Sequence, residues 1–364
     1  MKLNCEREQI LSPLQAVIGV VERRQTMPIL ANVLLTVRDE RLSVTATDLE
    51  VELVATVPVP GAEPGEITVP GRKLLDIVRA LPDKVDVKLT REGDKILVRG
   101  GKSRFTLSTL AASEFPTVDE INATTSFEIG QGDLKRLLEK TQFSMAQQDV
   151  RYYLNGMLLE TDGKLLRTVA TDGHRLALCE LELKTPGTLN QVIVPRKGVL
   201  ELSRLVGTEG LVRVEVGTNH IRATIDDIRF TSKLIDGRFP EYGRVIPQNP
   251  PRLVKADRDL LRHALQRTAI LSNEKYRGIK LALRPNVLTI TAHNPEQEEA
   301  EEDVEVSYDG DAMEVGFNVT YLLDALGAID GAEVELGLTD SNSSCLVRLP
   351  GGGASRYVVM PMRL

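Results

Sequence analysis

The segment at residues 171–175 has side chains that could do chemistry, since it reads Thr-Asp-Gly-His-Arg. An aspartate two positions before a histidine could supply two metal ligands, and a neighbouring threonine could act as a nucleophile. A metal site needs further ligands of matching type, and the sequence contains no second cluster of Asp and His. The alternative is a turn in which Asp172 caps its own backbone. We favour the turn, because Asp48 and Asn294 stand at matching places elsewhere in the chain.

Other signs of catalysis are missing from the sequence. No glycine-rich phosphate loop of the Walker type occurs, so we expect no ATP hydrolysis by this chain. The three cysteines, Cys5, Cys179 and Cys345, are far apart and odd in number, which favours buried free thiols over disulfides or a zinc site. We therefore predict a protein that is not an enzyme and that has neither a cofactor nor a metal.

The motif recurs because the chain is a threefold repeat. Three kinds of marker keep the same order and a common period near 123 residues, which chance would hardly produce. The first marker, TATD, VATD or TAHN, lies at residues 45–48, 169–172 and 291–294. The second, a short strand followed by an amphipathic helix, lies at residues 67–81, 192–206 and 315–329. The third, an arginine followed by an aromatic residue, lies at residues 104–105, 229–230 and 356–357.

Each repeat is predicted to combine helices with many strands. Helical spacing opens the three copies, with Pro13 expected in the first turn of the first helix. The positions are Leu11, Leu14, Ile18 and Val21; Leu134, Leu137, Leu138 and Thr141; and Leu261, Ala264, Leu265 and Thr268. Residues 42–57 alternate like strands, and residues 351–353 suggest a hairpin loop. We predict an α+β fold with similar domains at residues 1–122, 126–248 and 252–364.

The size of such domains limits what they can enclose. A domain of this length has a radius of gyration of about 14 Å, so three in a closed ring leave essentially no hole. Six leave a hole on the order of 30 Å across, and a B-form duplex is roughly 20 Å across. A closed dimer that joins the first domain of one chain to the third of the other, twice, could therefore surround duplex DNA.

The net charge of −7 does not exclude DNA, because six carboxylates lie within residues 296–303 (EQEEAEED) and the rest is nearly balanced. A ring retained by topology needs only a weak basic lining, and an acidic exterior helps to keep it off other DNA. The candidate lining residues lie on or beside predicted helices: Arg24, Arg72, Lys73, Lys135, Arg136, Arg196 and Lys197. No apolar run could span a membrane and residues 1–10 lack a secretory pattern, so we expect a cytoplasmic protein without a membrane partner.

Several segments resemble the family of bacterial DNA polymerase III β subunits, the sliding clamps. They are MAQQDVRYYLNGM, VATDGHRLA, VIVPRKG, ILSNEKYRG, NPEQEEAEE and YVVMPMRL, and they follow the family's order along the whole chain. The resemblance implies a clamp fold, a head-to-tail homodimer with helices lining the hole and sheets outside, and a processivity factor on duplex DNA near the nucleoid. It also implies a separate ATP-dependent loader.

The resemblance further implies a pocket for short linear peptides. The expected partners are the DNA polymerase III α subunit, the clamp loader δ subunit, and other polymerases and repair proteins. Carried over by motif, the pocket comprises Arg151, Leu154, Thr171, Gly173, His174, Arg175, Leu176, Pro240, Arg244, Val245, Asn318, Tyr321, Ser344, Val358, Met360, Pro361, Met362, Arg363 and Leu364. Tyr276, Gly243 and Asn342 depart from the family pattern, so the shape of the pocket is expected to differ there.

Two further surfaces follow from the resemblance. Arg24, Gln148, Tyr152 and Tyr153 are expected against DNA, in addition to the basic residues Arg72, Lys73, Arg196 and Lys197. At the dimer seam, Phe105 and Leu107 should face Ile270 and Leu271. Lys73, Lys102 and Arg104 should meet Glu296, Glu298, Glu299, Glu301 and Glu302. The alternative function is an acidic, threefold-repeat scaffold that binds peptides without encircling DNA.

Overall fold

The computed structural model describes residues 1–21, 27–118 and 121–363, without the side chains of residues 185–190. The predicted site residues Arg24 and Leu364 lie outside this described part. The described chain is an α+β protein, as predicted. It forms two compact units, residues 1–135 with 197–234 and residues 136–196 with 235–364.

Two long helices occur in each repeat. They are α1 (Arg7–Val17), α2 (Gly71–Ala80), α3 (Gln131–Glu139), α4 (Arg196–Leu205), α5 (Arg258–Thr268) and α6 (Val319–Ala328). Single 3₁₀ turns lie at Pro28–Ala31, Ala112–Glu114, Gln142–Ser144, Tyr152–Leu154, Tyr242–Arg244 and Ala269–Leu271. Helix α5 begins where Asp257 accepts a hydrogen bond from the Leu260 amide (2.8 Å), and it buries the predicted face that ends at Thr268. None of the described helices has both the length and the apolar character needed to cross a membrane.

Pro13 was wrongly expected in the first turn of a helix. It lies inside α1, which already begins at Arg7. The earlier start follows from a reciprocal cap, because the Gln9 side chain accepts a hydrogen bond from the Glu6 amide (2.9 Å). Proline lacks an amide hydrogen, so the Gln9 carbonyl loses its helical donor at this point.

The first unit contains a four-stranded sheet of order β1-β6-β7-β8 and an eight-stranded sheet of order β5-β2-β3-β4-β14-β13-β12-β9. The strands of the smaller sheet are β1 (Lys2–Glu6), β6 (Asp86–Glu92), β7 (Lys95–Gly100) and β8 (Ser103–Ser108). Those of the larger sheet are β2 (Asn32–Arg38), β3 (Arg41–Thr47), β4 (Val51–Pro58), β5 (Gly65–Pro70), β9 (Thr125–Gly130), β12 (Leu211–Val216), β13 (His220–Ile225) and β14 (Ile228–Lys233).

The second unit contains a six-stranded sheet of order β10-β11-β22-β21-β20-β15 and a four-stranded sheet of order β18-β17-β16-β19. The strands of the larger sheet are β10 (Gly156–Thr171), β11 (Arg175–Pro195), β15 (Arg252–Asp257), β20 (Glu333–Leu338), β21 (Cys345–Arg348) and β22 (Ser355–Val359). Those of the smaller sheet are β16 (Gly278–Arg284), β17 (Val287–His293), β18 (Glu299–Glu305) and β19 (Met313–Asn318). Residues 351–353 join the paired strands β21 and β22, so the predicted hairpin loop is confirmed.

Strand register confirms the threefold repeat at the level of single residues. The strand of the second marker ends at Pro70, Pro195 and Asn318, and each of these pairs with the first residue of an earlier strand in its own repeat. Those partners are Asn32, Gly156 and Gly278. Positions at the same sequence distance from these paired residues are therefore counterparts in the three repeats.

The Asp or Asn that ends the first marker caps its own turn in every repeat, as predicted. The Asp48 carboxylate accepts hydrogen bonds from the amides of Glu50 (2.9 Å) and Val51 (2.7 Å). Asp172 accepts from His174 (2.9 Å) and Arg175 (3.0 Å) in the same way, and Asn294 accepts from Glu298 (2.9 Å). The second oxygen of Asp172 accepts from the Arg175 side chain (3.0 Å), so the whole carboxylate is used in the turn.

All three cysteines are buried free thiols, as predicted. Burial raises the pKa of Cys345 to about 12. Burial, reinforced by the nearby Asp86 carboxylate, raises the pKa of Cys5 to about 11. Both side chains are therefore protonated near neutral pH and serve as small apolar residues.

Candidate functional site

A cavity of about 210 Å³ opens beside the turn that joins β10 to β11. We call it the Leu176 pocket. Its walls come from the 3₁₀ turn at Tyr152–Leu154, the capped turn itself, the 3₁₀ turn at Tyr242–Arg244 and the end of β22. The lining residues are Arg151, Tyr153, Leu154, Thr171, Gly173, Arg175, Leu176, Pro240, Glu241, Tyr242, Val245, Val358 and Met360.

The floor of the Leu176 pocket is rigid and its rim is adaptable. Leu154, Leu176 and Val358 are buried, and Leu176 and Val358 are direct partners in the β11–β22 ladder. Val245 and Met360 at the rim remain 44% and 41% exposed. Met360 is held at its backbone, where its amide donates to the His174 carbonyl (2.9 Å). A flexible thioether over an apolar floor suits ligands of differing shape.

The backbone conformation of Gly173 favours glycine, and a side chain there would also displace Arg151. Its φ is +88°, a conformation that other residues adopt only with strain. A Cβ at this position would lie 2.9 Å from a guanidinium nitrogen of Arg151. The absence of a side chain at Gly173 thus brings Arg151 against the capped turn, where it also donates to the Asp172 carbonyl (3.4 Å).

Arg151 is fixed at the pocket wall by Asp149. Its Nε and Nη2 atoms donate to the two carboxylate oxygens of Asp149 at 3.0 Å and 2.9 Å. These hydrogen bonds lower the pKa of Asp149 to about 2. Because this pKa is depressed, the stabilisation by the pair is complete above the ordinary Asp pKa and is lost only as the pH falls through about 2.

The Arg175 guanidinium lies against two aromatic rings beside the pocket and donates hydrogen bonds to three partners. Its guanidinium carbon lies 4.6 Å from the Tyr321 ring centroid and 5.6 Å from that of Phe143. Its nitrogens donate to Asp324 (2.5 Å) and to the Phe143 carbonyl (2.6 Å), in addition to Asp172. Burial raises the pKa of Tyr321, and the negative charge of Asp172 raises it further. Arg175 and Tyr321 are thus a stacked support for the turn.

Ten of the predicted pocket residues line the Leu176 pocket: Arg151, Leu154, Thr171, Gly173, Arg175, Leu176, Pro240, Val245, Val358 and Met360. Tyr153, Glu241 and Tyr242 also line it but were absent from the predicted pocket set. Glu241 and Tyr242 lie in the FPEYGRV segment, residues 239–245, from which Pro240, Arg244 and Val245 were predicted. Including the whole segment in the prediction would have found them. Tyr242 is anchored by a hydrogen bond from its hydroxyl to Glu160, and burial raises its pKa.

Other predicted pocket residues lie beside the cavity or away from it. Asn318 caps α6, accepting from the Thr320 amide (2.9 Å), and Ser344 donates to the Val245 carbonyl (3.4 Å). Arg244 is exposed and paired with Glu241 (2.6 Å). His174 contributes its carbonyl to Met360, and Pro361 is half-buried.

A second cavity, of about 450 Å³, contains Met362 and Arg363. We call it the Thr291 cavity. Its remaining lining residues are Asn273, Tyr276, Gly278, Ile279, Thr291, Ala292, His293, Asn294 and Pro295. The residues at the C-terminal end of the predicted pocket are therefore divided between two cavities.

Comparison with known proteins identifies the family. Family models of the DNA polymerase III beta subunit match the N-terminal domain at residues 1–119, the central domain at 128–241 and the C-terminal domain at 243–363. The Beta sliding clamp of Pseudomonas aeruginosa is 58% identical over 367 residues and covers both chains completely. A crystal structure of the DNA polymerase III subunit beta from that organism has a TM-score of 0.98 at 57% identity, with both chains fully covered.

The chain belongs to the DNA polymerase III beta subunit family, the sliding clamps.

Membership confirms the predicted clamp fold and the function of a non-catalytic processivity factor in DNA replication. It does not favour the alternative of a scaffold that never encircles DNA. Another solved P. aeruginosa sliding clamp, 58% identical with a TM-score of 0.96 and full coverage of both chains, is bound to griselimycin. A clamp of this family therefore accepts a ligand.

Strands β8 and β18 each lie at one edge of a four-stranded sheet in the described structure. Strand β8 has Arg104 exposed and Phe105 and Leu107 half-buried, and exposed Lys102 precedes it. Strand β18 contains Glu299, Glu301 and Glu302 of the acidic run. The edge at β8 is thus basic and the edge at β18 is acidic.

Some predicted seam residues already have partners within the chain. Arg267 donates to both carboxylate oxygens of Glu302 at 3.0 Å and 2.5 Å, which lowers the pKa of Glu302. Glu298 accepts from the Asn294 side chain (2.6 Å), while Glu296 is exposed. Ile270 is 76% exposed, so most of its side chain does not pack within the chain, whereas Leu271 is half-buried.

The described residues that are predicted to contact DNA differ in their exposure and in their partners within the chain. Lys73 and Gln148 are exposed, and Tyr152 is exposed with its ring edge-on to Tyr153 (5.8 Å between centroids). Arg72 donates to the Val21 carbonyl (3.1 Å) and Arg196 to the Met145 carbonyl (3.2 Å). Burial lowers the pKa of Arg196, and the nearby charge of Arg175 lowers it further. Lys197 is paired with Asp48.

Replacing Gly173 with alanine should destabilise the protein by about 1–3 kcal/mol, because it combines a strained φ with a close approach to Arg151. Urea unfolding measured by circular dichroism gives this difference. Gly327→Ala is the matched control, since a Cβ there meets nothing within 4 Å and the position lies inside α6. The control should be neutral or stabilising by up to about 1 kcal/mol. Equal effects of the two substitutions would contradict the role assigned to Gly173.

Proposed function

We propose that two copies of this clamp close head to tail into a ring around duplex DNA and tether a polymerase through the Leu176 pocket. The observation that carries the proposal is the pair of open, oppositely charged strand edges, β8 and β18. An exposed strand edge is a template for pairing with another chain, so the two edges fit a joint between copies.

The strand pairings that join consecutive repeats within the chain provide a pattern for pairing between two copies. Strand β4 pairs with β14, and β11 pairs with β22. In both cases the strand after the capped turn of one repeat pairs with the strand that contains the Arg-aromatic marker of the next. In the third repeat the strand after the turn is β18, and the marker strand without such a partner is β8. The same rule therefore joins β18 of one copy to β8 of the other.

The internal joints also predict the register of the seam. Arg229 lies opposite Val54, and Val54 pairs with Thr45 at the start of the first marker. Arg356 lies opposite Leu178, which pairs with Val169 in the same place. Thr291 is the third such residue and it pairs with Glu301. The rule thus sets Arg104 opposite Glu301 of the partner chain, and Phe105 opposite Ala300.

Two such seams close a ring with twofold symmetry. With domains at residues 1–122, 126–248 and 252–364, the ring contains six and surrounds a hole on the order of 30 Å, enough for a duplex and water. We assign the lining to Arg24, Arg72, Lys73, Gln148, Tyr152, Tyr153, Arg196 and Lys197. Their contacts to phosphate and sugar have no sequence dependence, so the ring can slide.

We assign the Leu176 pocket to short linear peptides of the DNA polymerase III α subunit, the clamp loader δ subunit and other polymerases and repair proteins. A buried floor of Leu154, Leu176 and Val358 under an adaptable Met360 rim supports this assignment. The P. aeruginosa clamp bound to griselimycin supports it at the level of the family. A cytoplasmic, nucleoid-associated location follows from a duplex DNA partner.

Loaded protein should stay on a nicked circular plasmid and leave when a restriction enzyme makes the plasmid linear, because only topology retains a sliding ring. Gel filtration of fluorescently labelled protein with each DNA form measures the retained fraction. A nuclease-dead DNA-binding protein that holds a fixed site is the control for non-topological retention. Equal retention on circle and line would contradict encirclement.

Reversing one charge at the seam should weaken the dimer, and reversing both should restore it. Arg104→Glu sets like charges opposite each other at two seams per ring, so the dimer Kd should rise at least about tenfold. Arg104→Glu combined with Glu301→Arg should recover most of that loss. Analytical ultracentrifugation measures both, with Lys88→Glu on the inner strand β6 as the control. Failure of the double variant to recover would refute the proposed register.

Truncating the pocket rim should weaken polymerase binding without changing the dimer. Met360→Ala should raise the Kd for the polymerase III α subunit roughly tenfold, since part of a methionine side chain loses its contacts. Met27→Ala is a matched control, because Met27 is equally exposed (41%) and lies outside the pocket. Calorimetric titration measures the Kd. The same small change in both variants would argue against the pocket assignment.

A further inference from the structure

The Thr291 cavity lies at the counterpart position of the Leu176 pocket. Tyr276 precedes Gly278 by two residues, as Leu154 precedes Gly156. His293 and Pro295 flank the capping Asn294, as Thr171 and Gly173 flank Asp172. In the second and third repeats these positions line a cavity, and the Thr291 cavity is about twice the size of the Leu176 pocket.

In all three repeats a later segment makes a backbone hydrogen bond to the strand of the second marker. The Leu110 carbonyl accepts from the Thr68 amide (3.4 Å), the Ile235 amide donates to the Ile193 carbonyl (2.9 Å), and the Met362 amide donates to the Gly316 carbonyl (2.9 Å). Thr68, Ile193 and Gly316 each lie two residues before the end of the strand in the second marker, so the three contacts involve the same position. In the first repeat the residue at this position is the donor, and in the other two it is the acceptor.

Beyond this contact, the first two repeats cover the region with a buried phenylalanine that is followed by proline. Phe115 packs with Leu30 and Leu34. Phe239 packs with Leu158 and Val169. Both phenylalanine side chains are at most 6% exposed. The same face of the third repeat has the 57% exposed Tyr276 and the open cavity, and none of its described lining residues is a phenylalanine.

We propose that the Thr291 cavity binds an extended peptide of another protein that presents an aromatic residue followed by proline, beside a carboxylate. The aromatic ring takes the position that Phe115 and Phe239 occupy in the other repeats. Arg363 is the one fully charged side chain among the lining residues, and it is exposed. Both internal segments have an acid next to the Phe-Pro pair, Glu114 before Phe115 and Glu241 after Pro240, and a peptide with the same acid would complement Arg363.

The lining also indicates a weaker contact than the internal ones. Thr291 stands where the second repeat has Val169, so the cavity wall is more polar at this position. Tyr276, Ile279, Ala292 and Met362 still provide an apolar surface. A transient peptide ligand fits such a lining better than a permanent one.

The probe is a fluorescein-labelled peptide with the sequence of residues 112–118, ASEFPTV, added to the full chain and followed by fluorescence anisotropy. Changing its phenylalanine to alanine should weaken binding about ten- to hundredfold. Thr291→Val restores the residue type of the second repeat and should strengthen binding roughly fourfold through one more apolar group. Arg363→Glu should weaken the native peptide and favour a version in which glutamate is replaced by lysine.

Arg363 is exposed, so Arg363→Glu tests the site without threatening the fold. Met360→Ala separates this cavity from the Leu176 pocket and should leave the affinity for this peptide unchanged. No saturable binding at millimolar peptide, or equal affinity for the alanine peptide, would overturn the proposal. Loss of binding in Met360→Ala with no response to Arg363→Glu would also overturn it, because the peptide would then occupy the Leu176 pocket.

Discussion

Backbone pairing across the ends of the repeats is the constraint on which this structure depends. A strand at the edge of a sheet leaves amide and carbonyl groups without partners, and these groups must find another strand, a cover or water. The chain satisfies two such edges internally, through β4 with β14 and β11 with β22. The β11–β22 ladder brings Leu176 and Val358 together, and these residues form the floor of the Leu176 pocket. The strand pairing that joins the two repeats therefore also forms the floor of the pocket.

The edges of β8 and β18 differ from the internal joints in their residues. Inside the chain, the markers Arg229 and Arg356 lie opposite Val54 and Leu178, which are apolar. The open edge β18 has Glu301 at the corresponding position and further carboxylates beside it. Charged edges discourage unspecific strand addition, yet they attract an edge of opposite sign. The proposed seam is therefore one that can open, and it should weaken as salt increases.

Weak and adaptable contacts suit a processivity factor. A clamp has to hold DNA without reading it, and it has to release one partner before it takes another. Rigid supports carry the pocket, notably the stacked Arg175 and the Arg151–Asp149 pair. The exposed apolar rim consists of Val245 and Met360. The peptide site that we propose at the Thr291 cavity would extend the same plan to the third repeat.

The sequence by itself determined the repeat, the α+β class and the capped turns, because turn residues, helical spacing and strand alternation act over a few positions. The resemblance to the family, and no local pattern, supplied most of the residues that line the Leu176 pocket. Tertiary structure alone decided which predicted residues share a cavity. It separated Met362 from Met360, made Tyr321 a support behind Arg175, and brought Tyr153 and Tyr242 into the wall. It also moved Pro13 into the interior of α1, because the cap at Glu6 sets the start of that helix. Residues far apart in sequence meet through strand pairing and packing, and no local pattern specifies that meeting.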